Sequence, residues 1–282
     1  MTTPASRTTA QNAQLALLLE VSGTPKPGNV DRCREYPDLR FEHFLAGAVG
    51  AVPGFERAVK SESVGEAFER AIAGMSAQNG GNTQFGAILL LTPLVVAAGR
   101  GDLSRDGARS VAAETTVSDA VGFYRAFEYV SVAVDDPPDG MDDLDVRRGE
   151  SVEPVLRERQ LTLADVMDRS AESDGIAREW ASGFPRTFET AAKLASGTGP
   201  VTERASDVYL DLLAEEIDTF VVTQHDRETA REVQTLAKEV LDGEEDREAF
   251  ARDLVDRGIN PGTTADIVAG GLFVALERGM EV

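Results

Sequence analysis

Between Glu20 and Arg32 the chain reads Glu-Val-Ser-Gly-Thr-Pro-Lys-Pro-Gly-Asn-Val-Asp-Arg, placing two acids, two bases, two prolines and two glycines directly after the apolar run Ala13 to Leu19. Pro25 and Pro27 each fix φ and withhold an N–H, while Gly23 and Gly28 open backbone shapes closed to other residues, so the segment predicts a stiff turn at a helix end. Charged groups on a stiff turn lose little freedom on meeting a ligand, which suits a polyanionic substrate. Taken alone, the same composition also fits a plain helix-to-helix connection with a proline stop.

Three further segments have this character. Gln78 to Ile88 carries Gly80 and Gly81, then Asn82 and Thr83, immediately before an apolar run. That order predicts an N-cap and free N–H groups at a positive helix end, a place for phosphate or simply a capped helix. In Glu215-Glu216-Ile217-Asp218-Thr219, Asp218 follows the apolar face Leu210, Leu213, Ile217 and Val221. It is expected near the inner side of a helix, where a carboxylate needs a partner, a metal or a chemical task. His225, beside Asp226, is one of only two histidines and fits an N-cap neighbour better than a base. In Gly258 to Ala269, Gly258 stops one helix, Pro261 and Gly262 shape a turn, and Thr263 or Thr264 caps the next helix. Asp266 then falls in the first turn, complementing that helix's dipole or pointing at a bound metal–phosphate group.

Helices must position these turns, since 3.6-residue periodicity runs through the chain and no alternating strand pattern competes with it. Helices are predicted over 8–21, 41–59, 64–78, 84–99, 105–117, 118–131, 150–159, 161–172, 175–195, 203–221, 226–242, 246–257 and 263–279. The expected fold is all-α, a single multi-helix domain over 1–282 with an exposed acidic loop at about 135–149. Helix ends on one face of such a bundle can converge.

The formal charge of −21, from 49 acids against 28 bases, disfavours nucleic acid, because no basic run relieves the repulsion of phosphate backbones. With 42% of residues hydrophobic, the acidity reads as a solvated surface suited to high salt rather than as disorder. The lone Cys33 forms no internal disulfide and no Cys/His group has zinc spacing, which points to the cytoplasm. No membrane span is expected: Ala87 to Ala98, the longest apolar stretch, is too short and is interrupted by Thr92 and Pro93. Common nucleotide and hydrolase signatures, the Gly-x-x-x-x-Gly-Lys-Ser/Thr loop, Gly-x-Gly-x-x-Gly and Gly-x-Ser-x-Gly, do not occur.

Taken in order, Glu20-Val…Thr24-Pro-Lys-Pro-Gly28…Val30-Asp-Arg32, Asn82-Thr83…Gly86-Ala-Ile88, Asp218-Thr219 and Pro261-Gly262…Ala265-Asp266-Ile267 resemble the triphosphoribosyl-dephospho-CoA synthase family over nearly the whole chain. The resemblance implies an all-helical transferase that joins ATP to 3′-dephospho-CoA with release of adenine. Loss of a base from ribose passes through oxocarbenium-like charge, which one carboxylate can stabilise while another takes the proton of the attacking hydroxyl. The resemblance makes Glu20, Asp31, Asp218 and Asp266 candidates for these roles, with Mg2+ held by Asp31 and Asp218. Lys26 and Arg32 would neutralise phosphate, and Asn82, Thr83, Gly86, Thr219, Asn260, Gly262, Thr263 and Thr264 would complete the nucleotide site. The chain departs from the family where Asn-Thr-His-Lys-Gly becomes Asn82-Thr83-Gln84-Phe85-Gly86, where a His-containing stretch after Arg32 is shortened, and where Asp-Thr-Asn-Val becomes Asp218-Thr219-Phe220-Val221. These changes leave room for a related ribosyl or phosphoribosyl transferase or hydrolase, or for a helical protein that binds a nucleotide without turnover.

Overall fold

A computed structural model describes residues 7–60, 63–137 and 141–282. The expected all-α class is what is found: the described residues form α-helices, two short 3-10 turns and connecting loops, with no named strand. The first half contains α1 (Thr9–Ser22), α2 (Phe41–Lys60), α3 (Val64–Met75), α4 (Phe85–Gly99), α5 (Arg105–Ala113) and α6 (Val117–Ala126). After the 3-10 turns Asp142–Leu144 and Val146–Val152 come α7 (Glu153–Arg159), α8 (Leu163–Ser170), α9 (Gly175–Ser182) and α10 (Pro185–Ser196). The chain ends with α11 (Val201–Glu215), α12 (Thr219–Gln224), α13 (Arg227–Asp242), α14 (Arg247–Asp256) and α15 (Gly262–Glu277).

Two helices that are apolar all round make the centre. Every residue of α4 from Ala87 to Ala97 is buried, as is every residue of α15 from Ile267 to Leu276. A helix apolar on all faces must be surrounded. Accordingly α15 packs on α1, α4, α10 and α11, and α4 packs also on α2, α3 and α5. Burial of each Leu, Val or Phe is worth about 1.5–3 kcal/mol, so this contact stack holds the ends of α4 and α15 in place.

Two predicted helices are each broken in two. The stretch 175–195 divides at Gly183 and Phe184, both with positive φ, before Pro185 opens α10. The stretch 203–221 divides where Asp218 leaves the helical conformation and caps α12 with its side chain. Apolar spacing runs on through both breaks, so periodicity alone joins what local backbone chemistry separates. The acidic loop also differs from expectation: Leu144 within it is buried, and its carbonyl accepts a hydrogen bond from Tyr124 Oη at 2.7 Å. Apolar residues interleaved among the acids draw this segment onto α6, while residues 138–140 lie outside the described residues.

Candidate active site

The proline-rich segment is the stiff turn its composition predicts, fastened to the rest of the fold by its carbonyls. Ser206 Oγ donates to the Pro25 carbonyl at 2.7 Å, Tyr209 Oη to that of Pro27 at 2.9 Å, and Tyr36 Oη to that of Gly28 at 2.6 Å. Gly28 has φ +72°, and a Cβ there would lie 2.2 Å from the Ile259 carbonyl oxygen, so only glycine lets this turn meet the 258–261 turn. Asn29 Nδ2 then donates to Asn260 Oδ1 at 2.9 Å, tying the first and fourth motifs together.

Asp31 organises the turn from inside. Its Oδ1 accepts the N–H groups of Cys33 (2.7 Å) and Arg34 (2.9 Å), and its Oδ2 accepts Thr24 Oγ1, the Lys26 N–H and the Arg34 guanidinium at 2.9–3.1 Å. Arg34, not Arg32, is the engaged base, pairing with Glu248 as well, whereas Arg32 is exposed. Lys26 is completely buried; its ammonium pairs with Glu20 and donates to Asn29 Oδ1 at 2.9 Å.

Asp218 is committed in the same way as Asp31. Oδ1 accepts the N–H groups of Phe220 and Val221 at the start of α12, and Oδ2 accepts the N–H and hydroxyl of Thr264, each at 2.7 Å. The start of α15 is thus capped by a carboxylate from another helix rather than by Thr263 or Thr264 acting as N-cap. Thr263 Oγ1 meets Thr219 Oγ1 at 3.0 Å, and Thr219 Oγ1 accepts the Gly175 N–H at 3.0 Å. The starts of α9, α12 and α15 therefore meet at two threonines.

Asp266 reaches across to a fourth helix start. A Cβ on Gly86 would lie 2.0 Å from Asp266 Oδ2, so the carboxylate rests directly on the first turn of α4, near the Ala87 N–H. Sequence spacing predicts Asn82 or Thr83 as the cap of α4; Asn82 Oδ1 does accept the Phe85 N–H at 3.1 Å, but Gln84 is the N-cap residue and makes no side-chain cap.

Around this meeting point lies a cavity of about 470 Å³. Of the residues predicted for a site, Glu20, Asn82, Thr83, Gly86, Thr219, Asn260, Gly262, Thr263 and Asp266 line it. Lys26, Arg32, Asp31, Asp218 and Thr264 do not; apart from the exposed Arg32, they are buried behind its wall. Sequence reasoning passes over Asn29, Gln84, Asp135, Arg169 and Asp174, all of which also line the cavity. Ser173-Asp174-Gly175 resembles any other helix cap, and Asp135 is hidden in an acidic run, so composition carries no signal for either. Asp174 caps α9 through the Ala177 N–H at 2.7 Å while its surface stays open to the cavity. Arg169 is the one base among the described lining residues.

Electrostatics separates the acids. Burial raises Asp266 well above the ordinary carboxylate value, and repulsion from Glu20, Asp218 and Asp174 adds to it, against only the nearby Ala87 N–H. Burial also raises Glu20, but the charge and hydrogen bond of Lys26 oppose it, with Asp31 a smaller push upward. Asp218 is likewise raised by burial, against the hydrogen bonds it accepts. The hydroxyl oxygen of Thr83 and the Oε1 of Gln84 are buried without a hydrogen-bond partner among the described residues.

With this geometry in hand, comparison with known proteins is decisive. The model of the CitG family, described as ATP:dephospho-CoA triphosphoribosyl transferase, matches residues 6–281. The chain belongs to this family. Among solved structures it is similar to a candidate triphosphoribosyl-dephospho-CoA synthase from Archaeoglobus fulgidus, with 27% identity and a TM-score of 0.69 over 86% of this chain and 100% of that one. Comparison with curated proteins gives no match. In this member of the triphosphoribosyl transferase family Phe85 packs into an aromatic group, 5.1 Å from Phe68 and 4.7 Å from Phe127 between ring centroids. The cavity is therefore acidic at the helix starts and apolar along Phe85, Phe123 and Phe127.

Proposed function

We propose that this transferase joins the triphosphoribosyl group of ATP to 3′-dephospho-CoA in the cavity, releasing adenine. The observation that supports this most is the pair Glu20, buried in the last turn of α1, and Asp266, half-buried in the first turn of α15, two carboxylates that line one cavity. In the reaction the 2′-hydroxyl of dephospho-CoA bonds to the ribose carbon that carries adenine, and the carbon–nitrogen bond breaks. Positive charge builds on the ribose as the base departs, and a carboxylate beside that carbon stabilises it. Asp174 adds to the negative field. Arg169, the one base among the described lining residues, is suited to the phosphates.

Asp31 and Asp218 are assigned here to positioning, because their oxygens already accept five and four hydrogen bonds from their own surroundings. That donor set does not fit a magnesium ion, and among the described residues no group of three or more His, Cys, Asp or Glu side chains is gathered to hold one. Magnesium belongs instead to the nucleotide substrate, as the counter-ion of the triphosphate. Lys26 and Arg32 are not assigned to phosphate.

The acid surplus supports a protein that works in concentrated salt inside the cell. No helix of the described residues is long and apolar enough to cross a membrane. The test is direct: incubate the purified protein with ATP, dephospho-CoA and magnesium in high salt, and follow free adenine. Adenine above a Glu20→Gln control supports the assignment; its absence removes it.

A further inference from the structure

Glu20 and Asp266 lie against the same cavity but in opposite company. Behind Glu20 stands the fully buried Lys26, whose ammonium touches both Glu20 and Asn29 and does not itself line the cavity. Its ammonium lies over the Tyr209 ring, whose centre is 5.9 Å from Nζ. A lysine so enclosed cannot follow a phosphate; it serves the carboxylate it touches. The other charge near Glu20 is the Asp31 carboxylate, itself neutralised by Arg34.

Around Asp266 the groups are Glu20 from α1, Asp218 from the cap of α12 and Asp174 from the cap of α9, all of them acids. Its contact with α4 is the glycine backbone at Gly86 and the Ala87 N–H. A carboxyl placed among acids is most comfortable carrying a proton, and two carboxyls in unlike surroundings divide into an acid and a base.

We propose that Lys26 sets this division: it holds Glu20 ionised as the base for the attacking hydroxyl, while Asp266 keeps a proton and delivers it to the departing adenine. This rests on the transfer reaction assigned above. In that step the hydroxyl proton passes to Glu20 and its oxygen bonds to the ribose carbon. The electron pair of the broken carbon–nitrogen bond goes to adenine, whose ring nitrogen takes the Asp266 proton. One proton leaves substrate and one joins product, and exchange with solvent resets both carboxyls. Lys26 is thus a positioning residue, and Glu20 and Asp266 are the groups that touch reacting atoms.

Two measurements test the division. Infrared difference spectra of the resting protein near neutral pH should show a carboxylic-acid C=O band that disappears in Asp266→Asn and survives in Glu20→Gln. An Asp266→Asn spectrum with no such loss, or a band lost in Glu20→Gln instead, overturns the proposal. The pH profile of kcat/KM for adenine release should be a bell whose acidic limb moves to higher pH in Lys26→Met, because Glu20 loses its counter-charge, while the alkaline limb stays. An unmoved acidic limb also overturns it. The infrared arm requires neither turnover nor a folded lysine variant, so absence of adenine release by the wild type sinks the assigned reaction while the band still decides the protonation of Asp266.

Discussion

Asp31 and Asp218 differ from Glu20 and Asp266 in what their oxygens do, although all four are buried or nearly so and all four stand in turn motifs at helix ends. The first pair spends its acceptor capacity on the chain: Asp31 fixes the turn after α1, and Asp218 clasps the starts of α12 and α15 together. The second pair faces the cavity, one backed by a lysine and the other by further acids. The comparison teaches that a buried carboxylate in a family motif is assigned by counting its donors. An acid saturated by backbone N–H groups holds the site's shape, and an acid with open oxygens is available for chemistry.

The sharpest way to break that comparison is through turnover. Glu20→Gln and Asp266→Asn keep the shape of the side chain and should remain folded, yet lose adenine release by about 10²–10⁴-fold, the range for removing a positioned proton-transfer group. Asp218→Asn should retain much more activity per folded molecule, since an amide oxygen still accepts part of the cap. Rates normalised to the folded fraction by circular dichroism decide this. If Asp218→Asn is as inactive as Glu20→Gln while fully folded, sorting the acids by donor count fails.

Stability should divide the same residues the other way. Asp218→Ala strips the acceptor from the buried N–H groups of Val221 and Thr264, the buried Thr264 hydroxyl and the half-buried Phe220 N–H, and Asp31→Ala strips it from the buried Lys26 N–H and the half-buried N–H groups of Cys33 and Arg34. Each orphaned buried donor costs roughly 1–3 kcal/mol, with partial relaxation, so a loss of at least about 3 kcal/mol is expected from urea unfolding of either variant. Arg32→Ala, by contrast, removes an exposed side chain and should fall within about 0.5 kcal/mol of wild type.

How far the sequence reveals this division follows from what each level of pattern records. Helical periodicity reports a helix over a dozen or so residues, which is why the all-α class is legible and 84–99 and 263–279 are both predicted as helices. It passes over single-residue events, so the breaks at Phe184 and Asp218 merged into longer helices, although Pro185 marks one of them. The motif residues pointed to the right part of the chain because prolines, glycines and Asx residues declare turns. They did not say which side chains face inward: the orientation of Lys26, buried behind Glu20, depends on α11 supplying Tyr209 and Ser206 from far along the chain. Asp174 and Arg169 joined the cavity through packing of α8 and α9 alone, a tertiary event with no local signature.

The smallest expected effect concerns Asp266 and gives the comparison a sign. Because the folded state raises the Asp266 carboxyl well above 3.8, the native protein binds its proton more tightly than the unfolded chain does. From about that unfolded value upward, the native state holds more protons than the unfolded state, so this residue makes stability fall as pH rises until its folded value is passed. Above that point the residue contributes a constant penalty, the cost of an ionised acid among acids. Asp266→Asn removes the titration and keeps an acceptor for the Ala87 N–H, so the variant should match or exceed wild-type stability at neutral pH, with an advantage that shrinks as pH is lowered toward 4. Thermal unfolding of both proteins across that range, in constant high salt, measures it. A variant less stable than wild type at neutral pH, with no narrowing of the gap in acid, would place Asp266 beside Asp31 and Asp218 as a group that holds the fold, and would remove it from the pair assigned to the reaction.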